Sequence, residues 1–248
     1  MDLVFIFDGT FDGFLNTIYV YYYEKLIPSH IVSSEGYQQI LNAEYINIET
    51  NFQKARRVYE AIFKKISLQA HETIYHAFLF ADEYKYMDLF NYVVLGFKVK
   101  GLVDNYTQMD YVVAIHKYAH AVLAEAHLLK GFCRFSETDQ GIYYCKITPK
   151  HDVLPILSEH FADRLNGQHW VIHDTARGIA SVYDKKTWLI ASVGNLANVV
   201  YSETEEAYRS MWHTFFKSIA IEDRENVKLQ KKHINRRYRQ NAHEFTAK

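Results

Sequence analysis

Turn formers are scarce. The chain has 248 residues but only 10 Gly and 3 Pro, too few for a many-stranded sandwich or for long flexible linkers. Cysteine is rarer still: Cys133 and Cys145 alone make no disulfide framework and cannot supply an iron–sulfur cluster. Both fall in segments expected to form adjacent strands, so they are candidate neighbours in a reduced, cytoplasmic protein. No run of about 18 apolar residues occurs, which argues against a membrane span. The opening Met1-Asp2-Leu3-Val4-Phe5-Ile6-Phe7-Asp8 is short, lacks a basic start and is closed by Asp8-Gly9. It reads as a buried strand and not a signal peptide. Gly-x-Gly-x-x-Gly, Walker A and Gly-x-Ser-x-Gly patterns are all missing.

What is present is material for a core. Hydrophobic residues make up 49% and charged residues 23%, a balance that excludes a disordered solvating chain. Aromatics reach 16%, with 20 Tyr and 16 Phe. The net charge of -1 conceals an asymmetry: residues 1–216 hold 19 Lys/Arg against 25 Asp/Glu, while residues 217–248 hold 9 against 4. Lys228, Lys231, Lys232, Arg236, Arg237 and Arg239 follow one another with no carboxylate between them. Such a run attracts phosphates, with a strength that falls with salt; a solvated tail is the plainer alternative.

Hydrophobic spacing predicts a first strand at Leu3–Phe7 and a helix from Phe11 to Leu26 with Thr10 as N-cap. A short strand at Tyr45–Ile48 follows. Three helices are expected between Phe52 and Phe97, with Ser67 and Asp82 as punctuation, and a fourth from Met109 to Lys130 closed by Gly131. From Phe132 the period changes from helical to alternating, giving a hairpin around Asp139-Gln140-Gly141, a short helix over 152–165 and three further strands at 170–173, 179–183 and 188–191. Ser202 with Glu205 has the form of a capping box for a helix to about Ile221. The expected fold is α+β: a helical block plus a mixed, mostly antiparallel sheet of about five to seven strands, with parallel pairing confined to the first two strands. Residues 1–221 are expected to form one domain, with a helical half near 50–130 and a sheet half near 131–192. Residues 222–248 are expected to be a basic helical tail.

Histidines and cations mark candidate sites. His116, His120 and His127 share one helix stripe, within roughly 40° of one another at about 100° per residue. Two His four residues apart can hold a metal, but no His-Glu-x-x-His or cysteine pair accompanies them. A polar helix face is the plainer reading, and neither metal nor cofactor is expected. Glu125, His127, Lys130 and Arg134 surround a helix-to-strand junction that suits a phosphate or carboxylate, or else forms a salt-bridged corner. A third group comprises His151, His160, His173 and Asp174. His151, His173 and Asp174 are the acid–base candidates, with the reservation that neighbours along a strand face opposite ways, so Asp174 is badly placed to orient His173. Tyr21-Tyr22-Tyr23 suits base stacking or aromatic packing. With His116, Glu125, His127 and His160 as a polar cluster, these are the residues to locate.

Several blocks together resemble a known family: Phe7-Asp8-Gly9-Thr10-Phe11-Asp12-Gly13-Phe14-Leu15, the junction Glu125 to Phe135, Pro149-Lys150-His151-Asp152 through Phe161, Trp170-Val171-Ile172-His173-Asp174, and Trp212 to Ile221 with Arg224-Glu225-Asn226. This order is similar to that of a bacterial family described as DNA-metabolism or DNA-repair proteins. The resemblance implies a companion radical-SAM DNA-modification protein, and some members are fused to a domain similar to uracil-DNA glycosylases. It transfers no catalytic residues. The chain departs from the usual Met-Pro-x-Arg-Tyr-Trp-type ending, having Ile234-Asn235-Arg236-Arg237-Tyr238-Arg239. Three functions stay open: an accessory DNA-repair protein binding DNA through Lys130, Arg134 and the C-terminal cations; an enzyme acting on a DNA base or nucleotide; and a protein-interaction scaffold.

Overall fold

A computed structural model of the protein describes residues 2–35, 42–193, 199–219 and 235–242. It is α+β, and the chain divides into two compact units, residues 1–123 and 124–248.

The first unit starts from β1, Asp2–Phe7. Val4, Phe5, Ile6 and Phe7 are all buried, an unalternating run expected of a strand flanked on both sides by parallel neighbours. Those neighbours are β2, His30–Ser33, and β3, Ala43–Asn47, giving the order β2-β1-β3. Helix α1, Phe11–Tyr23, is capped by Thr10 as expected, its hydroxyl accepting the Gly13 N–H at 3.0 Å. Asp8 fixes this corner by accepting from Thr10 N–H at 2.9 Å and from the Thr50 hydroxyl at 2.6 Å. Burial alone would raise its pKa, but the hydrogen bonds from Thr50 and Thr10 outweigh it and hold the carboxyl below its ordinary value. Gly13 is required here, since a Cβ would sit 2.2 Å from Asp8 Oδ1.

Helices α2, Phe52–Lys65, α3, Leu68–Phe78, and α4, Lys85–Val99, occupy the stretch read as three helices. Asn51 and Ser67 cap the first two through their side chains. Phe7 meets Tyr86 edge-to-face at 4.9 Å and Phe11 meets Phe78 at 5.1 Å, so the aromatic excess is core material in this region. A 3-10 turn, Lys100–Asn105, leads into α5, Asp110–Phe132. Along α5 the buried Val112, Ile115, Ala119, Val122, Ala126 and Leu129 alternate three- and four-residue steps, which makes one helical stripe. Gly131 is not its cap: the helix runs through it, and Gly131 is not among the glycines with positive φ.

In the second unit β4, Phe135–Glu137, β5, Tyr143–Ile147, β6, Trp170–Asp174, β7, Ile179–Tyr183, and β8, Trp188–Ser192, pair in sequence order. The expected confinement of parallel pairing to the first strands is overturned, because β5 and β6 are parallel, with Cys145 opposite Ile172. Helix α6, Leu154–Arg164, lies between them in sequence and is the crossover that parallel strands require. Trp170, fully buried, stacks on Tyr183 at 5.0 Å, and Phe135 meets Phe161 at 4.9 Å. Helix α7, Glu203–Ile219, follows. The capping box does not form: Glu205 accepts instead from Glu137 N–H at 3.1 Å and pairs with Arg209 at 2.9 Å. Of the expected basic tail, the described part is a single short helix, α8, Arg236–Arg239. Among the described residues no helix is long and apolar enough to cross a membrane.

Candidate nucleic-acid interface

Glu125 organises the end of the second unit. It is 7% exposed, and a carboxylate so buried must have its lone pairs satisfied. Oε1 accepts the Lys150 N–H at 2.7 Å, Oε2 accepts the His151 N–H at 2.7 Å, and the Tyr238 hydroxyl donates to Oε1. One side chain of α5 therefore pins the loop that leads from β5 to α6 and holds α8 against it. The Tyr238 hydroxyl is pushed well up, by burial first and by the Glu125 carboxylate second. Next to it Thr148 Oγ1 accepts from Gln240 Nε2 at 3.2 Å and from Asn241 Nδ2 at 3.1 Å. Ala242 is fully buried.

Asp174, at the end of β6, is 0% exposed. Its Oδ1 accepts the Ala176 and Arg177 N–H groups at 2.9 and 3.3 Å, and its Oδ2 takes the Arg177 guanidinium at 2.8 Å. The same guanidinium donates to the Lys150 carbonyl at 2.7 Å. The loops after β5 and β6 are thereby tied together at the carboxyl ends of two parallel strands, a position where folds of this kind present ligand sites. Both Asp174 oxygens are thereby engaged in holding the turn.

His173 does not join Asp174 either. Its Nδ1 lies 2.7 Å from the Tyr144 hydroxyl, and Nε2 is buried with no hydrogen-bond partner. Burial, with Lys146 adding to it, lowers its pKa below the ordinary histidine value, so the ring is neutral at pH 7. The Tyr144 hydroxyl is pushed up to about 12 by its own burial. His151 is 5% exposed and is held through its backbone by Glu125. His160 packs edge-to-face on Phe161 at 4.9 Å, and its basicity is lowered by burial and then by Lys130 and Arg164. His127 is exposed on α5. His116 belongs to the first unit, where Nε2 lies 3.0 Å from Asp104 Oδ1, which the Tyr92 hydroxyl also reaches. The four residues expected as one polar cluster are thus divided between units. Among the described residues no three His, Cys, Asp or Glu gather as donors to a metal ion.

The cations divide by role. Arg134 donates to the carbonyls of Gly131 at 2.8 Å and Cys133 at 3.2 Å and lies over the Trp212 ring at 5.8 Å. It closes the end of α5. Lys130 stands near His160. Lys150 and Arg236 are exposed, and Arg177, Arg237 and Arg239 half-exposed. The hydrogen bonds through Glu125, Thr148 and Asp174 bring the segments carrying these five to one end of the unit. Lys228, Lys231 and Lys232 lie outside the described residues. Sequence reasoning missed Arg177, Thr148 and the hydroxyl of Tyr238. Only Arg177 left a local signal, the three-residue step from Asp174.

No curated protein matches the chain. The sequence pattern of a family described as a domain of unknown function, DUF4130, matches residues 83–244, a stretch that includes Glu125, Lys150, Asp174, Arg177 and Tyr238 and covers well over half of the chain. The chain belongs to the DUF4130 family.

Proposed function

We propose that the protein is a nucleic-acid-binding accessory factor of DNA repair or DNA metabolism that acts with a radical-SAM partner. The observation that carries the binding half is the gathering of Lys150, Arg177, Arg236, Arg237 and Arg239 at one end of the second unit by the Glu125, Thr148 and Asp174 hydrogen bonds. The carboxylates of Glu125 and Asp174 are buried and Arg177 answers Asp174, while Arg236 and Arg237 stand exposed and half-exposed on α8. Positive charge held on ordered loops suits phosphate contacts, which position a nucleic acid without reading its sequence. The DNA context and the partner are supported by the sequence resemblance alone. The binding reading favours an accessory role over base chemistry because Asp174 and His173 are both committed to internal contacts.

Binding of a fluorescein-labelled 20-mer, single- and double-stranded, followed by polarisation tests the first half. The expected result is affinity that falls steeply with salt and weakens at least tenfold in Arg236→Ala with Arg237→Ala. Affinity indifferent to salt or to that double substitution overturns it. Co-purification with the radical-SAM protein tests the second half, and its absence at stoichiometric expression overturns the partnership.

A further inference from the structure

The first unit holds a cleft that the phosphate-binding reading does not use. It has a volume of about 650 Å³ and lies on α1, α2 and α4, inside the size range of small-molecule sites. Its residues from α1 and α2 precede the region that matches the family. One wall is a layered stack. Tyr19 and Tyr23, one helical turn apart, stack at 4.3 Å and 16°, with Lys54 over the Tyr19 ring at 4.9 Å and Arg57 over the Tyr23 ring at 5.3 Å. Arg57 also donates to the Tyr23 hydroxyl at 3.2 Å. Tyr22, from the same helix, also lines the cleft and is held edge-on against Phe97 at 5.4 Å. Ile18 and Val58, both buried, and Ala61 make the floor.

Charge decides what such a cleft takes. Helix α2 carries Lys54, Arg56, Arg57, Lys64 and Lys65 against the single carboxylate of Glu60. Glu60 is clamped by Arg56 at 3.0 Å and Lys64 at 3.1 Å, and Lys54 is answered by Glu24 at 3.9 Å. Arg57 and Lys65 are the excess at the rim. We infer that this cleft is a nucleotide subsite, with the base lying on the apolar floor beside the tyrosine rings and the phosphate on Arg57 and Lys65. A flat ring system matches the exposed edges of the tyrosine stack and the Tyr22 ring, and an anionic group attached to it matches the rim. An aliphatic anion would leave the ring geometry unused, and a phosphate alone would leave the floor empty. Burial pushes the Tyr22 hydroxyl up to about 12, so it stays protonated at neutral pH and can donate to a base edge.

The subsite is independent of the arginine-bearing loops of the second unit, and its test separates the two. Isothermal titration of the whole protein with dTMP is expected to show saturable binding. Thymidine and inorganic phosphate should each bind at least tenfold more weakly. Arg57→Ala with Lys65→Ala should weaken dTMP at least tenfold, and Ala61→Trp, which fills the floor from a partly exposed position, should abolish binding with an unchanged unfolding temperature. Arg236→Ala with Arg237→Ala should leave dTMP binding unaltered. Competition by (dT)12 at lower concentration would assign the subsite to a nucleotide within a strand; binding of dTMP without such competition would assign it to a free nucleotide. No heat with dTMP up to millimolar concentration, phosphate binding as tightly as dTMP, or indifference to both cleft variants overturns the inference.

Discussion

Positive charge is handled in two different ways in this molecule. On α2 the cations stand on an exposed helix and meet rings and a half-exposed Glu60. At the ends of β5 and β6 the partners are buried carboxylates, and Arg177 is locked between Asp174 and the Lys150 carbonyl. Exposed pairs contribute about 0–1 kcal/mol and rearrange readily, so the α2 cations are available to a ligand at little structural cost. The buried pairs build the loops themselves. Charge on α2 is therefore a binding resource, and charge around Glu125 and Asp174 first makes structure and then leaves Arg236 and Arg237 over.

That contrast breaks most visibly at Asp174. Asp174 is fully buried while Arg177 reaches solvent, so Asp174→Ala removes the acceptor of two backbone N–H groups and of the guanidinium and is expected to cost about 3 kcal/mol, read by urea unfolding. Arg57→Ala should change stability by less than about 1 kcal/mol. Equal costs would erase the distinction. Next comes Glu125→Gln, which offers an N–H₂ group to one of two backbone N–H donors that need an acceptor. A loss of about 1.5–3 kcal/mol is expected, together with faster amide exchange at Lys150 and His151. Tyr238→Phe removes only a hydroxyl from the same carboxylate. It should cost about 1 kcal/mol and raise protease sensitivity near residues 235–242 without altering the sheet.

The smallest effect is a pH dependence. His71, His160 and His173 all have pKa values lowered on folding, by burial first in each case. The unfolded chain then binds more protons than the folded one below the ordinary histidine value of about 6.5, so stability falls as pH falls through that window and is complete above it. Chemical denaturation between pH 7.5 and 5.5 should show this, with a shallower fall in His173→Gln. A steeper fall in that variant would contradict the neutral, buried ring.

Most N-terminal caps were legible in the sequence, whereas the Gly131 cap and the Ser202–Glu205 box were not realised and long-range pairings left no signal. Thr10 and Ser67 announce their helices because a cap acts within three residues. The three strands from Trp170 onward alternate visibly between tight turns. The four-residue strand His30–Ser33 was missed, since so short a strand beside a parallel neighbour carries no alternation. The parallel β5–β6 pair was missed although α6 between them is the natural sign of a crossover. The site shows the same limit. Glu125, His151, Asp174 and the arginines 236, 237 and 239 were legible as chemistry-bearing residues, but the partners of Glu125 lie 25 to 113 residues away, at Lys150 and at Tyr238, and the second contact of Arg177, to the Lys150 carbonyl, spans 27. No spacing rule reaches that far, so the part Glu125 plays in holding the Lys150 loop and Tyr238 could not be read from the sequence.

The most direct test of the account is the slope of log affinity against log salt for a double-stranded 20-mer, measured on the wild-type protein and on Arg236→Ala with Arg237→Ala. Each phosphate contact contributes about 0.9 to the slope, so the account predicts a salt-dependent wild-type line and a double variant shallower by about 1.8. Parallel lines of equal slope would place the phosphates elsewhere and contradict it.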